Sequence, residues 1–281
     1  MREHGLILAH YTPLPKASTV QTILKAERES NARWARHLGV GFTPDERTDS
    51  SETAGVPDCI IANSAFTARS FSGSSAQVIN VPLAANYAER FNLPTSTERR
   101  RPGEKLRVAF SGQINQRKGI SYLTEAIYGT LQDKVSLHLF GNDATGFVPE
   151  LRRAYPGVQI EHTEKTDQES LWGHLSAMHA FAFPTLVDGF GNSLAEAAAI
   201  GLPSIVTDNC GARDIGLVPE AAVVVPPASV SAIVDAIEIL LDEATRQDMG
   251  ASARRIARQT RTWEQYGSEV TELLSELADR S

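Results

Sequence analysis

The chain has 281 residues, 42% of them hydrophobic and 22% charged, with a formal net charge of -7. This is the composition of a globular protein able to bury a full core without disulfides or metals, and its length favours two domains. The acidic balance argues against a nucleic-acid partner. No stretch approaches a membrane span, and the apolar run GLILA near the start is too short for a signal peptide. Cys59 and Cys210 have neither CxxC nor metal-ligand spacing. They read as reduced thiols of a cytoplasmic protein. Peripheral membrane contact and oligomerisation stay open.

Residues 1–92 give a sparse α/β pattern. GLILAHY reads as a strand, residues 18–37 as one long helix, and GFTPDERTDSSETAG as a polar loop. PDCIIANS then reads as a strand, AFTARSFS as a helix and AQVINVP as a strand. The charged, Pro-containing stretch LPTSTERRRPGEK reads as a hinge. Beyond about residue 105 the alternation is regular. LRVAFSG, VSLHLFG, VQIEH, AFAFPT, SIVT and AVVVP are short and near-continuously apolar, as strands buried on both faces are. Between them, ISYLTEAIYGTL places Ile120, Leu123, Ile127 and Leu131 on one helical face, and SVSAIVDAIEILLDE does the same with Val230, Ile233, Val234, Ile237, Leu240 and Leu241. Such alternation implies right-handed crossovers and a parallel, doubly wound sheet. A last helix, about Glu264 to Arg280, carries Tyr266, Val270, Leu273, Leu274 and Leu277 at helical spacing and should dock on a core. The expected organisation is an α/β domain over 1–100, a second over 101–265 and a terminal helix over 266–281.

Ligands of open α/β sheets bind beyond the carboxyl ends of strands, so three strand-to-helix junctions carry the functional reading. In SGQINQRKGISYL, Gly112 lets the backbone turn and Gly119 opens the next helix. Arg117 and Lys118 stand where the helix dipole already favours anions. Basic residues there are poor choices for stability unless an anion binds between them; the bland alternative is two solvated charges. In FAFPTLVDGFGNSLAEAAAIG, Gly189 and Gly191 allow close main-chain approach to a ligand. Ser193-Leu-Ala-Glu196 matches a capping box, which would explain Glu196 without function. It leaves Asp188 and the two glycines unexplained. In SIVTDNCGARDIG, Asp208, Asn209 and Gly211 form a turn and Asp214 is a capping candidate. A basic pair, a glycine-rich helix start and an acid one turn in point together to a nucleotide diphosphate. The dinucleotide fingerprint GxGxxG and the Walker A motif are absent.

At this point DGFGNSLAEAAAIGLPSIVTDNCGARD resembles the carboxyl-terminal signature of GT-B glycosyltransferases of family 4, the group-1 class, with its Glu-x7-Glu motif. SGQINQRKGISYLTEA resembles the phosphate-binding segment of that family, and the likeness runs over about residues 104–270. The resemblance implies a GT-B fold with a shortened amino-terminal domain. It implies a retaining transferase that uses a nucleotide-diphosphate sugar, an unknown sugar, lipid or small-molecule acceptor, and no metal. By position, Lys118 would hold the diphosphate, Asp188 the transferred sugar and Glu196 the ribose. The backbone of Phe190, Gly191 and Asn192, with Ser193 behind it, would hold hydroxyls and phosphate. Gln113 stands where many members have Arg, and Asp188 is shorter than the usual Glu. Base contacts would come from loops around Gly141 and His162. His10 is a candidate for the family's cleft histidine, against a solvent-exposed or packing role, which its surroundings favour. The alternative is a relative that binds the nucleotide sugar but is catalytically incomplete or needs a partner chain.

Overall fold

The structure is a computed structural model that describes residues 8–39, 57–87, 93–94, 96 and 100–279. The expected polar loop over 41–55, the start of GLILAHY and part of the expected hinge lie outside the described residues. Two parallel sheets carry the fold. The first has the order β1-β2-β3, from Ala9–Thr12, Cys59–Ala62 and Gln77–Asn80. Its registers are Ala9 opposite Cys59 and Cys59 opposite Gln77. The second has the order β6-β5-β4-β7-β8-β9, from Gln159–Thr163, Val135–Phe140, Leu106–Ser111, Ala180–Phe183, Ser204–Val206 and Ala222–Val224.

All six apolar runs of the second half are therefore strands. The inner strands β4, β5, β7 and β8 are almost wholly buried, which is why they read as continuous apolar runs. β6 behaves differently. It is an edge strand, and Gln159 and Glu161 face solvent while Ile160 faces the core. From β4 the chain winds outward to β5 and β6, then returns to β7 and winds the other way. Right-handed crossovers in opposite directions place helices on both faces. The helices α3 (Ile120–Ile127) and α7 (Val230–Leu241) pack together, as do α6 (Asn192–Ile200) and α8 (Glu243–Gln259). The switch of direction lies between β4 and β7, where a crevice opens at the strands' carboxyl ends.

Two helical expectations need correction. Residues 18–37 form α1 (Ala17–Ser30) and then a separate 3-10 helix (Ala32–His37), broken at Asn31. The helix opening at Ile120 stops at Ile127, because Gly129 adopts a left-handed φ of 88°. Leu131 is buried all the same.

The first sheet is completed from afar. The helices α2 (Ala65–Ser70), α4 (Phe147–Ala154) and α5 (Gln168–Ser176) follow their strands locally. The last helix, α9 (Trp263–Asp279), instead lays Tyr266, Val270, Leu273 and Leu277 on Cys59, Ile61 and Val81 of the first sheet. Leu274, grouped with them by spacing, is 40% exposed. In the opposite sense, Trp34 of the amino-terminal half is buried against Phe147 and Tyr155. His37 stacks on Phe147 and bonds Thr145 and Glu150.

Candidate active site

β4 ends at Ser111, and the chain turns through Gly112 into the 3-10 turn Gln116–Lys118. The Asn115 side chain accepts the Lys118 amide at 3.2 Å and fixes that turn. Gly119 follows with φ 73°, and a Cβ there would lie 2.1 Å from the Pro184 carbonyl oxygen. Only glycine allows this junction to lie against the end of β7. Lys118 is thereby buried to 9% exposure and its ammonium pairs with the Asp188 carboxylate. It also lies 4.8 Å from the centre of the Phe183 ring. Burial pushes the Lys118 ammonium below its usual pKa, and Asp188 opposes that shift. Arg117 is equally buried; it donates to the Val187 carbonyl at 2.8 Å and stands 3.7 Å from Asp188. Two cations and one carboxylate, 70 residues apart in sequence, thus meet at the carboxyl ends of β4 and β7.

The loop after β7 is held from several sides. The Asp188 amide donates to the Asn209 carbonyl, and Asp188 Oδ1 accepts the Gly189 amide at 2.8 Å. A Cβ on Gly189 would lie 2.0 Å from the Pro13 carbonyl oxygen, and the Gly189 carbonyl accepts the Ser64 hydroxyl at 2.7 Å. Gly189 therefore serves a close approach between the two halves of the molecule. Phe190 is buried and its carbonyl accepts the Gly211 amide at 2.9 Å. Gly191, φ 92°, is the N-cap of α6, which begins at Asn192. The capping box does not form: Ser193 lies inside the helix, and no side chain caps its start. Glu196 turns elsewhere. It is 9% exposed and accepts Gln168 Nε2 from α5 at 3.0 Å. Burial raises its carboxyl pKa, against hydrogen bonds from Gln168 and Trp172.

Beside these groups lies a cavity of about 640 Å³ at the ends of β4, β5 and β6, lined by Gly112, Gln113, Gly141, Asn142, Asp167 and Gln168 among others. His162 Nε2 bonds the Gly141 carbonyl at 2.9 Å, so that ring supports the cavity wall. Cys210 lies close by, buried, with its thiol pushed up to about 12 by desolvation, and is inert as a nucleophile.

Residues 105–243 match the family model of the group 1 glycosyl transferases. That segment is similar to the family. A capsular polysaccharide biosynthesis glycosyltransferase of Staphylococcus aureus is 38% identical over 79 residues, 28% of this chain and 21% of the relative. A 2-deoxystreptamine N-acetyl-D-glucosaminyltransferase of Niallia circulans is 29% identical over 156 residues, 53% of this chain and 40% of the relative. The matches thus span less than half of these relatives' own lengths. The fold is GT-B. Sucrose-phosphate synthase from Thermosynechococcus elongatus superposes on 97% of this chain and 68% of its own, with TM-score 0.71 and 22% identity. Anabaena HepE, solved with UDP and glucose, covers 96% of this chain and 71% of its own, with TM-score 0.68 and 15% identity.

In the structure the residues singled out by sequence fall into three clusters. Lys118, Arg117 and Asp188 form the charged one, Gly189 to Ser193 the loop and helix start, and Gly112 with Gln113 the cavity wall. Glu196 touches the cavity through Gln168. Arg117 faces Val187 and Asp188. His10 lies in mid-strand, paired with Ile60. Asp214 does cap, but across the molecule: it accepts the Ala65 amide at 2.9 Å and Asn80 Nδ2 at 2.9 Å. Sequence reading missed Gln168, Ser64 and Glu27. Glu27 is buried and accepts Gln116 Nε2 at 2.8 Å and the Tyr122 hydroxyl at 2.7 Å, tying α1 to the Lys118 turn. A buried-looking Glu within an amphipathic helix was the available signal; Gln168 and Ser64 had none. Among the described residues no helix is long and apolar enough to cross a membrane.

Proposed function

We propose that the chain transfers a sugar from a nucleotide-diphosphate donor to an acceptor, with retention of anomeric configuration and without a metal. The observation that carries this is the pairing of buried Lys118 with Asp188, in the loop that leads into the uncapped start of α6, the helix on which Glu196 bonds Gln168 of the cavity lining. The difficulty of the reaction is departure of an anionic diphosphate. Lys118 supplies fixed positive charge, and the first amides of α6 at Asn192 and Ser193 have no acceptor within their own helix and face the developing anion. The diphosphate displaces the Asp188 carboxylate from Lys118, which leaves Asp188 to accept from a sugar hydroxyl. Glu196 accepts the ribose hydroxyls, and the base enters the cavity beyond Gly141. The UDP and glucose bound by HepE are consistent with such a donor. The acceptor approaches from the carboxyl ends of β1 and β2, where Pro13, Asn63 and Ser64 face Gly189.

Calorimetric titration with UDP, GDP, ADP and their sugars tests the donor site. One nucleotide family binds, and Lys118→Ala and Glu196→Ala each weaken it; unchanged affinity in both variants refutes the assignment. A second reading, a binder that is catalytically incomplete or needs a partner chain, draws support from the first sheet, which has three strands among the described residues. Tight donor binding with neither transfer nor hydrolysis across an acceptor panel would favour it.

A further inference from the structure

Gln168 is the first residue of α5, and its helix start is well anchored. The N-cap Asp167 accepts the Ser170 amide at 2.8 Å and the Ser170 hydroxyl at 2.7 Å. From this fixed turn the Gln168 side chain does two things. It lines the 640 Å³ cavity, together with Gly112 and Gln113, and it donates Nε2–H to Glu196 Oε1 at 3.0 Å. The contact joins two elements: α5 and α6 pack side by side, and Glu196 is buried between them with Trp172 of α5 also facing it.

An ionised carboxylate has two oxygens able to accept, and one free to rotate spreads them over several directions. Holding Oε1 against Gln168 leaves Oε2 with one preferred direction. We propose that Gln168 is a positioning residue for the donor: it holds Glu196 Oε1 so that Oε2 meets the ribose hydroxyls of a nucleoside diphosphate seated in the cavity. The inference rests on the proposed donor site, in which Glu196 reads the ribose. It adds a residue from outside the glycine-rich loop, on a helix whose sequence carries no ligand signal. Burial of Glu196 makes the contact matter more, since a carboxylate taken out of water keeps its charge only with hydrogen-bond donors around it. A packing role alone, closing α5 on α6, would affect every nucleotide equally.

The difference is measurable on the full chain by titrating UDP, GDP and ADP against their 2′,3′-dideoxy counterparts. The wild-type chain should bind its preferred ribonucleoside diphosphate about tenfold tighter than the dideoxy form, the size expected for a hydrogen bond to a charged group. Gln168→Leu should cut that ratio to about two- to threefold, with the dideoxy affinity changed by about twofold at most, since only the oriented bond is lost. Gln168→Arg, which keeps an N–H donor facing the carboxylate, should restore most of the ratio. An unchanged ratio in Gln168→Leu, or an equal loss for both sugars, overturns the positioning role while the donor site stands. A wild-type chain that binds none of the three nucleotides overturns both.

Discussion

Asp188 is the position where structure and chemistry can be separated by experiment. Its carboxylate pairs with Lys118, stands 3.7 Å from Arg117 and accepts the Gly189 amide. Asp188→Ala would leave two buried cations without their carboxylate and one amide without its acceptor. Breaking a buried pair from one side costs about 3–5 kcal/mol. The Asp188 side chain retains 14% exposure, so the lower end, about 3 kcal/mol, is the working figure. Lys118→Met is milder, because Arg117 remains: at 3.7 Å and an effective dielectric near 20 that attraction is about 4 kcal/mol before desolvation. Its net cost should be about 1–2 kcal/mol. Thermal unfolding reads this as a melting temperature roughly 6–12 °C lower for Asp188→Ala and about half that for Lys118→Met. The double variant Asp188→Leu with Lys118→Met should recover only part of the stability lost in Asp188→Ala, because buried Arg117 still lacks this carboxylate, and none of the nucleotide affinity. A Lys118→Met chain less stable than Asp188→Ala would refute this account of the pair.

Gly189→Ala should push the Pro13 segment away and weaken the Ser64 contact; an unfolding cost of about 1–3 kcal/mol is expected, and an unchanged melting curve would contradict the close approach. Gly267 lies inside α9 with nothing within 4 Å of an added Cβ, so Gly267→Ala should stabilise by about 0.5–1 kcal/mol in urea unfolding; a loss of stability would contradict that open surface. His179 is buried near the start of β7, and desolvation lowers its pKa from 6.5 to about 4. The native state therefore binds fewer protons than the unfolded chain between those values. Stability should fall by up to about 3 kcal/mol as pH drops from 6.5 to 4 through this group. His179→Leu should flatten that part of the pH profile, and an unaltered slope would show that His179 does not cause it.

The second sheet was readable from composition because β4, β5, β7 and β8 are buried on both faces and tolerate only apolar residues. β6 departed from that pattern, since an edge strand needs one apolar face. Helix ends were less legible: Gly129 ends α3, and Asn31 breaks the first helix where residue spacing suggested continuity. At the site, local motif reading reached Lys118, Asp188 and Glu196 as separate signals. It could not see that Lys118 and Asp188 pair, because 70 residues separate them and only the close packing of Gly119 on Pro184 brings them together. The capping-box alternative at Ser193 fails for a related reason. Gly191 opens α6 earlier by turning left-handed, and Glu196 is claimed by a neighbouring helix.

The docking of α9 on the first sheet also orders events during synthesis. Cys59 and Ile61 leave the ribosome some 200 residues before Tyr266 and Val270, which cover them. At ordinary elongation rates that is a wait of roughly ten to forty seconds. Through that interval one side of the first sheet lacks its cover while the second sheet emerges and its helices close on it. The amino-terminal half therefore reaches its final state last, and a nascent chain arrested before residue 263 should expose that apolar sheet to chaperones although the second sheet and its helices are already folded.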